Sequence, residues 1–117
     1  MSDIAIRVEG LGKEIKALAR KARDNQLTPD DVRGGTFTIT NPGGYGSIMA
    51  TPVINLPQVA ILDTEAVVKR AVVIDDAIAI RPMTYLCMSW DHRALDGAYA
   101  AQFLTALRKK LEAWPIT

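Results

Sequence analysis

The sequence predicts an α+β chain, in the order helix, strands, helix. Three observations carry that expectation. Apolar residues recur at helical spacing near the start and again near the end. Between them lies a long stretch rich in Val, Ile and Thr, the composition of strands. Turn-forming residues, including Gly34-Gly35, "NPGG" and Asp75-Asp76, punctuate that stretch.

Leu11, Ile15, Leu18, Ala19 and Ala22 fall on one face of a helix from about residue 10 to 25. Lys13, Lys16, Arg20 and Arg23 take the other face, which reads as a solvated surface rather than a polyanion site. In "LTPDDVRGG", Thr28 can cap, Pro29 suits the first helical position, and Asp30 and Asp31 favour a helix N-terminus. One helical turn is expected there, stopped at Gly34-Gly35. "TFTIT", residues 36–40, is a β-branched strand. "NPGGYGS", residues 41–47, is a loop, because three glycines and a proline do not sit inside a ladder.

Val59–Leu62 is a short apolar run. Val67–Ile74 and Ala77–Arg81 flank Asp75-Asp76, which suits a hairpin turn. Pro82 marks a bend or an edge. Met83–Trp90 carries few charges and is expected to be one strand covered on both faces. Phe103, Leu107, Leu111 and Trp114 recur at helical spacing, with Leu104 beside them. They give a second helix from about Gly97 to Glu112, stopped before Pro115.

The totals narrow the function classes. At 117 residues the chain is expected to be a single unit, residues 1–117. Hydrophobic residues make up 49% and aromatics 6%, so the core should be mainly aliphatic. Fourteen basic and 13 acidic residues leave a net charge of +1, which gives no footprint for nucleic acid or an anionic membrane. One cysteine excludes an internal disulfide framework and a multi-cysteine metal site, and no metal is expected. An unpaired thiol fits a reducing compartment. No apolar run approaches the ~20 residues that span a bilayer. "MSDIAIRVEG" has no apolar signal-peptide core. A cytoplasmic location is expected.

"SWDHRALDGAY", residues 89–99, holds the single histidine. It joins an apolar strand to an amphipathic helix, and such junctions display reactive groups on rigid scaffolds. Imidazole takes and returns a proton near neutral pH. Spacing alone leaves two readings open. His92 is a general base, or the segment is a polar turn in which Asp96 caps a helix and Asp91 pairs with Arg93. Cys87, inside the apolar strand, reads as a small buried hydrophobe. The glycine loop matches neither phosphate-binding fingerprint, and reads as a sharp turn.

"DHRALDGA" resembles the His-x-x-x-Asp-Gly signature of the dihydrolipoamide acyltransferases, the core component of 2-oxo acid dehydrogenase complexes. Chloramphenicol acetyltransferase shares that signature. "GGTFTITNPGGYGS" followed by "TPVINLPQVAIL" resembles the same family's central segment, in order and at a fitting distance before the histidine. The resemblance covers roughly residues 11–113. It implies a chloramphenicol-acetyltransferase-like fold with a mixed β-sheet and flanking helices. It matches the C-terminal half of the catalytic domain, and the family's lipoyl and subunit-binding domains are not matched.

By resemblance, His92 is the base that deprotonates the thiol of coenzyme A or dihydrolipoamide. Thr40, at the end of "TFTIT", matches the hydroxyl that hydrogen-bonds the thioester oxyanion. Asp96 is a brace that fixes local geometry by ion pairing and caps the helix. Coenzyme A and lipoamide are then substrates, the acyl group being succinyl, or else acetyl or branched-chain. The family's active site lies between subunits of a trimer, the base from one chain and the hydroxyl from its neighbour. The implied partners are further copies in a trimer or larger cage, a decarboxylase and a dihydrolipoyl dehydrogenase. The alternative is a structural core or assembly module without turnover.

Overall fold

The computed structural model describes residues 11–115. Residues 1–10, which include the expected first residue of the first helix and the segment judged for a signal peptide, lie outside the described residues. The chain divides into two compact units at Gly35.

In the first unit, helix α1 (Leu11–Arg23) is followed by a 3₁₀ turn, Pro29–Val32. Arg20, Lys21 and Arg23 sit in the last turn of α1, where cations suit the helix dipole. Asp31 closes the expected cap. Its carboxylate accepts from Lys21 Nζ at 2.8 Å, the Thr28 backbone N–H at 2.8 Å and the Thr28 hydroxyl at 2.9 Å. Lys21 first, then Thr28, hold the Asp31 carboxyl down at about 2. Gly34 stops the turn with a φ of +82°, a conformation that glycine adopts freely.

The second unit carries five strands and a helix. They are β1 (Thr38–Thr40), β2 (Ala60–Thr64), β3 (Val68–Ile74), β4 (Ala77–Met83), β5 (Leu86–Trp90) and α2 (Gly97–Glu112). β1, β2 and β5 form one sheet in that order. β1 runs parallel to β2, with Thr38 opposite Ile61 and Thr40 opposite Asp63. β5 runs antiparallel to β2, with Trp90 opposite Ala60 and Cys87 opposite Asp63. The sheet is therefore mixed, and the α+β class expected from the sequence holds. Ala60, Ile61, Leu62 and Asp63 are all buried. Burial of consecutive residues means that both faces of central β2 are covered.

β3 and β4 form a separate two-stranded ribbon. Its turn is Asp75-Asp76, as expected. Both residues have positive φ, +50° and +60°, the pattern of a tight hairpin turn matching strand twist. Pro82 does not bend the chain. It lies within β4 opposite Lys69, in a ribbon where every strand is an edge and a missing N–H is tolerated.

The strand expected over Met83–Trp90 is two strands. Met83 ends β4, and β5 starts at Leu86. Between them the Thr84 hydroxyl donates to the Glu65 carbonyl at 2.8 Å, and the Glu65 N–H donates to the Tyr85 carbonyl at 3.3 Å. Those bonds carry the chain from ribbon to sheet. β5 is half-buried along its length rather than enclosed. α2 occupies the expected span, with Ala100 buried. Phe103 meets Phe37 with ring centroids 6.1 Å apart, which ties α2 to the residue before β1. No helix among the described residues is long and apolar enough to cross a membrane.

Candidate functional site

β5 ends at Trp90, and the Asp91 N–H extends the ladder by one step to the Val59 carbonyl at 2.8 Å. The chain then turns. The Asp91 carbonyl accepts from the N–H groups of Ala94 and Leu95, both at 3.0 Å. The Asp91 carboxylate accepts from the Arg93 N–H at 2.9 Å, from Nε at 2.9 Å and from Nη2 at 2.7 Å. The Arg93 guanidinium, then its N–H, holds the Asp91 carboxyl down at about 2. This clamp fixes the backbone on both sides of His92.

His92 is exposed at the tip of that turn. Its ring lies 5.9 Å from that of Trp90, tilted by 40°. Trp90 is half-buried, with its indole N–H enclosed and unpaired among the described residues. No hydrogen bond from a described residue orients the His92 imidazole. The ring is free to meet a substrate, and needs one, or another chain, to fix its tautomer.

Asp96 starts α2. Its side chain accepts from the Tyr99 N–H at 2.7 Å, an N-cap bond that satisfies one of the helix's orphan donors. The expected capping is present. The expected ion pairing is not, because the carboxylate faces the helix N-terminus and meets no cation among the described residues.

Thr40 is half-buried at the C-terminal end of β1. Its carbonyl accepts from the Thr64 hydroxyl at 3.4 Å. Beyond it the glycine loop turns sharply. The Asn41 side chain accepts from the Gly43 N–H at 3.0 Å, and Gly46 adopts a φ of +89°. A Cβ on Gly43 would overlap the backbone of Glu65 and Ala66. The Ser47 carbonyl accepts from the Ala66 N–H at 2.8 Å. Glycine here serves a close approach to the segment that follows β2, not an anion cradle.

Strand directions set His92 and Thr40 apart. Thr40 is level with Asp63, whereas Trp90, two residues before His92, is level with Ala60. Three residue steps along β2 span ~10 Å, and His92 lies further out on the same side. The two residues therefore sit at opposite ends of one sheet.

Two acids were not singled out in the sequence. Asp63 and Glu65 are buried beside this sheet. The available signal was their spacing, since acids at i and i+2 in an apolar strand share a face. An apolar-lined groove of about 560 Å³ runs between Pro82–Leu86 and the α2 residues Leu104, Arg108 and Leu111, and includes neither His92 nor Thr40. No cluster of His, Cys, Asp and Glu among the described residues is arranged to hold a metal ion.

The model for the 2-oxoacid dehydrogenases acyltransferase (catalytic domain) family matches residues 5–116, further upstream than the motifs alone reach. The succinyltransferase component of the 2-oxoglutarate dehydrogenase complex from Bartonella vinsonii subsp. berkhoffii is 54% identical over 100 residues, covering 86% of this chain and 24% of that protein. The lipoamide acyltransferase component of the branched-chain alpha-keto acid dehydrogenase complex from Bacillus subtilis is 49% identical, over 91% of this chain and 25% of its own length. Among solved structures, a dihydrolipoamide acetyltransferase from Azotobacter vinelandii superimposes with a TM-score of 0.84 at 37% identity, covering 88% of this chain and 42% of that one. This chain thus spans about a quarter of the length of the curated relatives and less than half of that acetyltransferase chain. With its mixed sheet and its matched motifs, the chain belongs to the family of 2-oxoacid dehydrogenase acyltransferases, within their catalytic domain.

Proposed function

We propose that this chain transfers an acyl group between dihydrolipoamide and coenzyme A, in a site completed by a second copy. The observation that carries this reading is the separation of His92 from Thr40 across the sheet. One chain cannot bring its own base to its own hydroxyl. Two copies can. The intervals also support it. In the Azotobacter vinelandii acetyltransferase, the serine, histidine and asparagine studied for the catalytic mechanism are spaced by 52 and then four positions, the intervals that separate Thr40, His92 and Asp96. Serine and threonine both offer a hydroxyl donor. Asparagine and aspartate both cap a helix through a side-chain oxygen.

A free thiol has a pKa near ~8.5 and is mostly protonated at neutral pH. His92 accepts the thiol proton as sulfur attacks the thioester carbonyl. The carbonyl oxygen gains the negative charge, and the Thr40 hydroxyl of the neighbouring chain donates to it. Collapse of the tetrahedral species expels the other sulfur as thiolate, which takes the proton back from His92. No net proton is gained or lost. Asp96 does not touch substrate. It fixes the start of α2 and so the turn bearing His92.

The acyl group is proposed to be succinyl, on the 54% identity to a succinyltransferase component, and branched-chain transfer is the nearest competitor at 49%. Assembly into a trimer or larger cage is proposed from the likeness to the cubic core of a pyruvate dehydrogenase complex, with a TM-score of 0.80 at 38% identity. A decarboxylase and a dihydrolipoyl dehydrogenase complete the proposed set of partners. The single unpaired cysteine fits a cytoplasmic setting. A structural module without turnover is the second reading, since no hydrogen bond from a described residue orients the exposed His92 imidazole.

The test is thioester exchange between succinyl-coenzyme A and dihydrolipoamide. His92→Ala should abolish it, and Thr40→Ala should slow it by ~100-fold. Mixing the two impaired variants should restore roughly a quarter of the native rate, since random mixing reunites an intact base and hydroxyl at that share of interfaces. Activity that survives in His92→Ala sinks the assigned base. No exchange from well-formed oligomers of the native chain selects the structural module.

A further inference from the structure

Among the described residues, Asp63 and Glu65 are the buried polar side chains, at 0% and 4% exposure. Two positions apart on extended chain, they point to the same side of the sheet. None of their four carboxyl oxygens meets a well-formed hydrogen-bond donor among the described residues. One buried carboxylate without a partner is expensive, and two side by side repel each other as well. The cheaper state removes a charge. One carboxyl keeps a proton and donates it to the other.

The surroundings supply no cation instead. Level with Asp63, β1 contributes Thr40 and β5 contributes Cys87. The turn that packs on Glu65, Pro42–Tyr45, contributes Tyr45, whose ring is exposed. Tyr85, bonded to the Glu65 backbone, stacks under Arg70 at 5.0 Å. Arg108, on α2 near Tyr85, lies 3.9 Å from Glu112. No described Lys or Arg forms an ion pair with either acid. Burial pushes the Asp63 carboxyl up, and the Glu65 carboxyl pushes the same way by hydrogen bond and charge. The Thr64 backbone pulls weakly against them.

We propose that Asp63, inside the β1–β2–β5 sheet, keeps a proton that it donates to the Glu65 carboxylate, and that losing this proton as pH rises loosens the rung that bears Thr40. The shared proton stands on burial and geometry. Its effect on the oxyanion donor rests on the acyl-transfer reading. Asp63 holds its proton more tightly folded than unfolded. The stability this adds is complete below the unfolded pKa and is lost as pH rises through the folded one.

The experiment combines a ¹³C NMR titration of the Asp63 carboxyl with thermal melts of the full chain, native, Asp63→Asn and Glu65→Gln, from acid to alkaline pH. Asp63 should stay protonated beyond the usual carboxylate range. The native Tm should fall by ~5 °C for each pH unit between the unfolded carboxyl pKa and the folded one, and level off above it. Asp63→Asn should remove that fall. An Asp63 resonance that titrates in the ordinary range overturns the proposal, as does a fall over that same pH range that persists in Asp63→Asn. If that variant does not fold, the native titration decides alone. Neither readout uses turnover, so a chain without acyltransferase activity leaves this result unaffected, and a failed titration leaves the activity assay unaffected.

Discussion

β2 and the β3–β4 ribbon are built from similar aliphatic residues and end in opposite environments. β2, "AILDT", is enclosed, with Leu62 at 6% exposure. The ribbon pairs Val73 with Ile78 and Ala71 with Ile80 across one face, yet Ile78 is 81% exposed. Neighbour number makes the difference. β2 has a strand on each side, whereas each ribbon strand has one. Composition sets how much a strand is able to bury. The strands and helices beside it decide how much it does bury.

Truncation inside β2 should break that contrast most clearly. Leu62→Ala should cost ~2–5 kcal/mol, the range for a large-to-small change in a closed core, read by urea unfolding. Asp96→Ala should cost ~1 kcal/mol by removing the α2 cap, and Asp96→Asn far less, because asparagine also accepts the Tyr99 N–H. On the ribbon, Ile78→Ser should change chain stability by less than ~0.5 kcal/mol. It should weaken self-association in sedimentation velocity. A stability loss for Ile78→Ser as large as that for Leu62→Ala would mean that the ribbon is as buried in solution as β2.

Some elements were readable from residues alone. α2 was bounded correctly because its signals are local: a cap at Asp96, apolar residues at helical spacing, and Pro115 beyond. Asp75-Asp76 marked the hairpin because aspartate tolerates the positive φ that its turn requires. The break between Met83 and Leu86 was not readable. It depends on Thr84 and Tyr85 bonding to Glu65, about twenty residues away in sequence. Parallel pairing of β1 with β2 is likewise a long-range choice that spacing does not encode. At the candidate site, the motif singled out His92, Thr40 and Asp96. It did not reveal that Asp96 forms no ion pair among the described residues, nor that an acid pair lies one strand from Thr40. Those facts come from burial and register, which emerge only when strands align.

The opposed positions of Thr40 and His92 carry a kinetic consequence. If the proposed chemistry holds, a solitary chain has half of each of two sites and a complete one of neither. Its specific activity should fall on dilution, not merely its rate. The step from silent to active is then an encounter between copies, and the amount of protein present regulates how fast each molecule of it works.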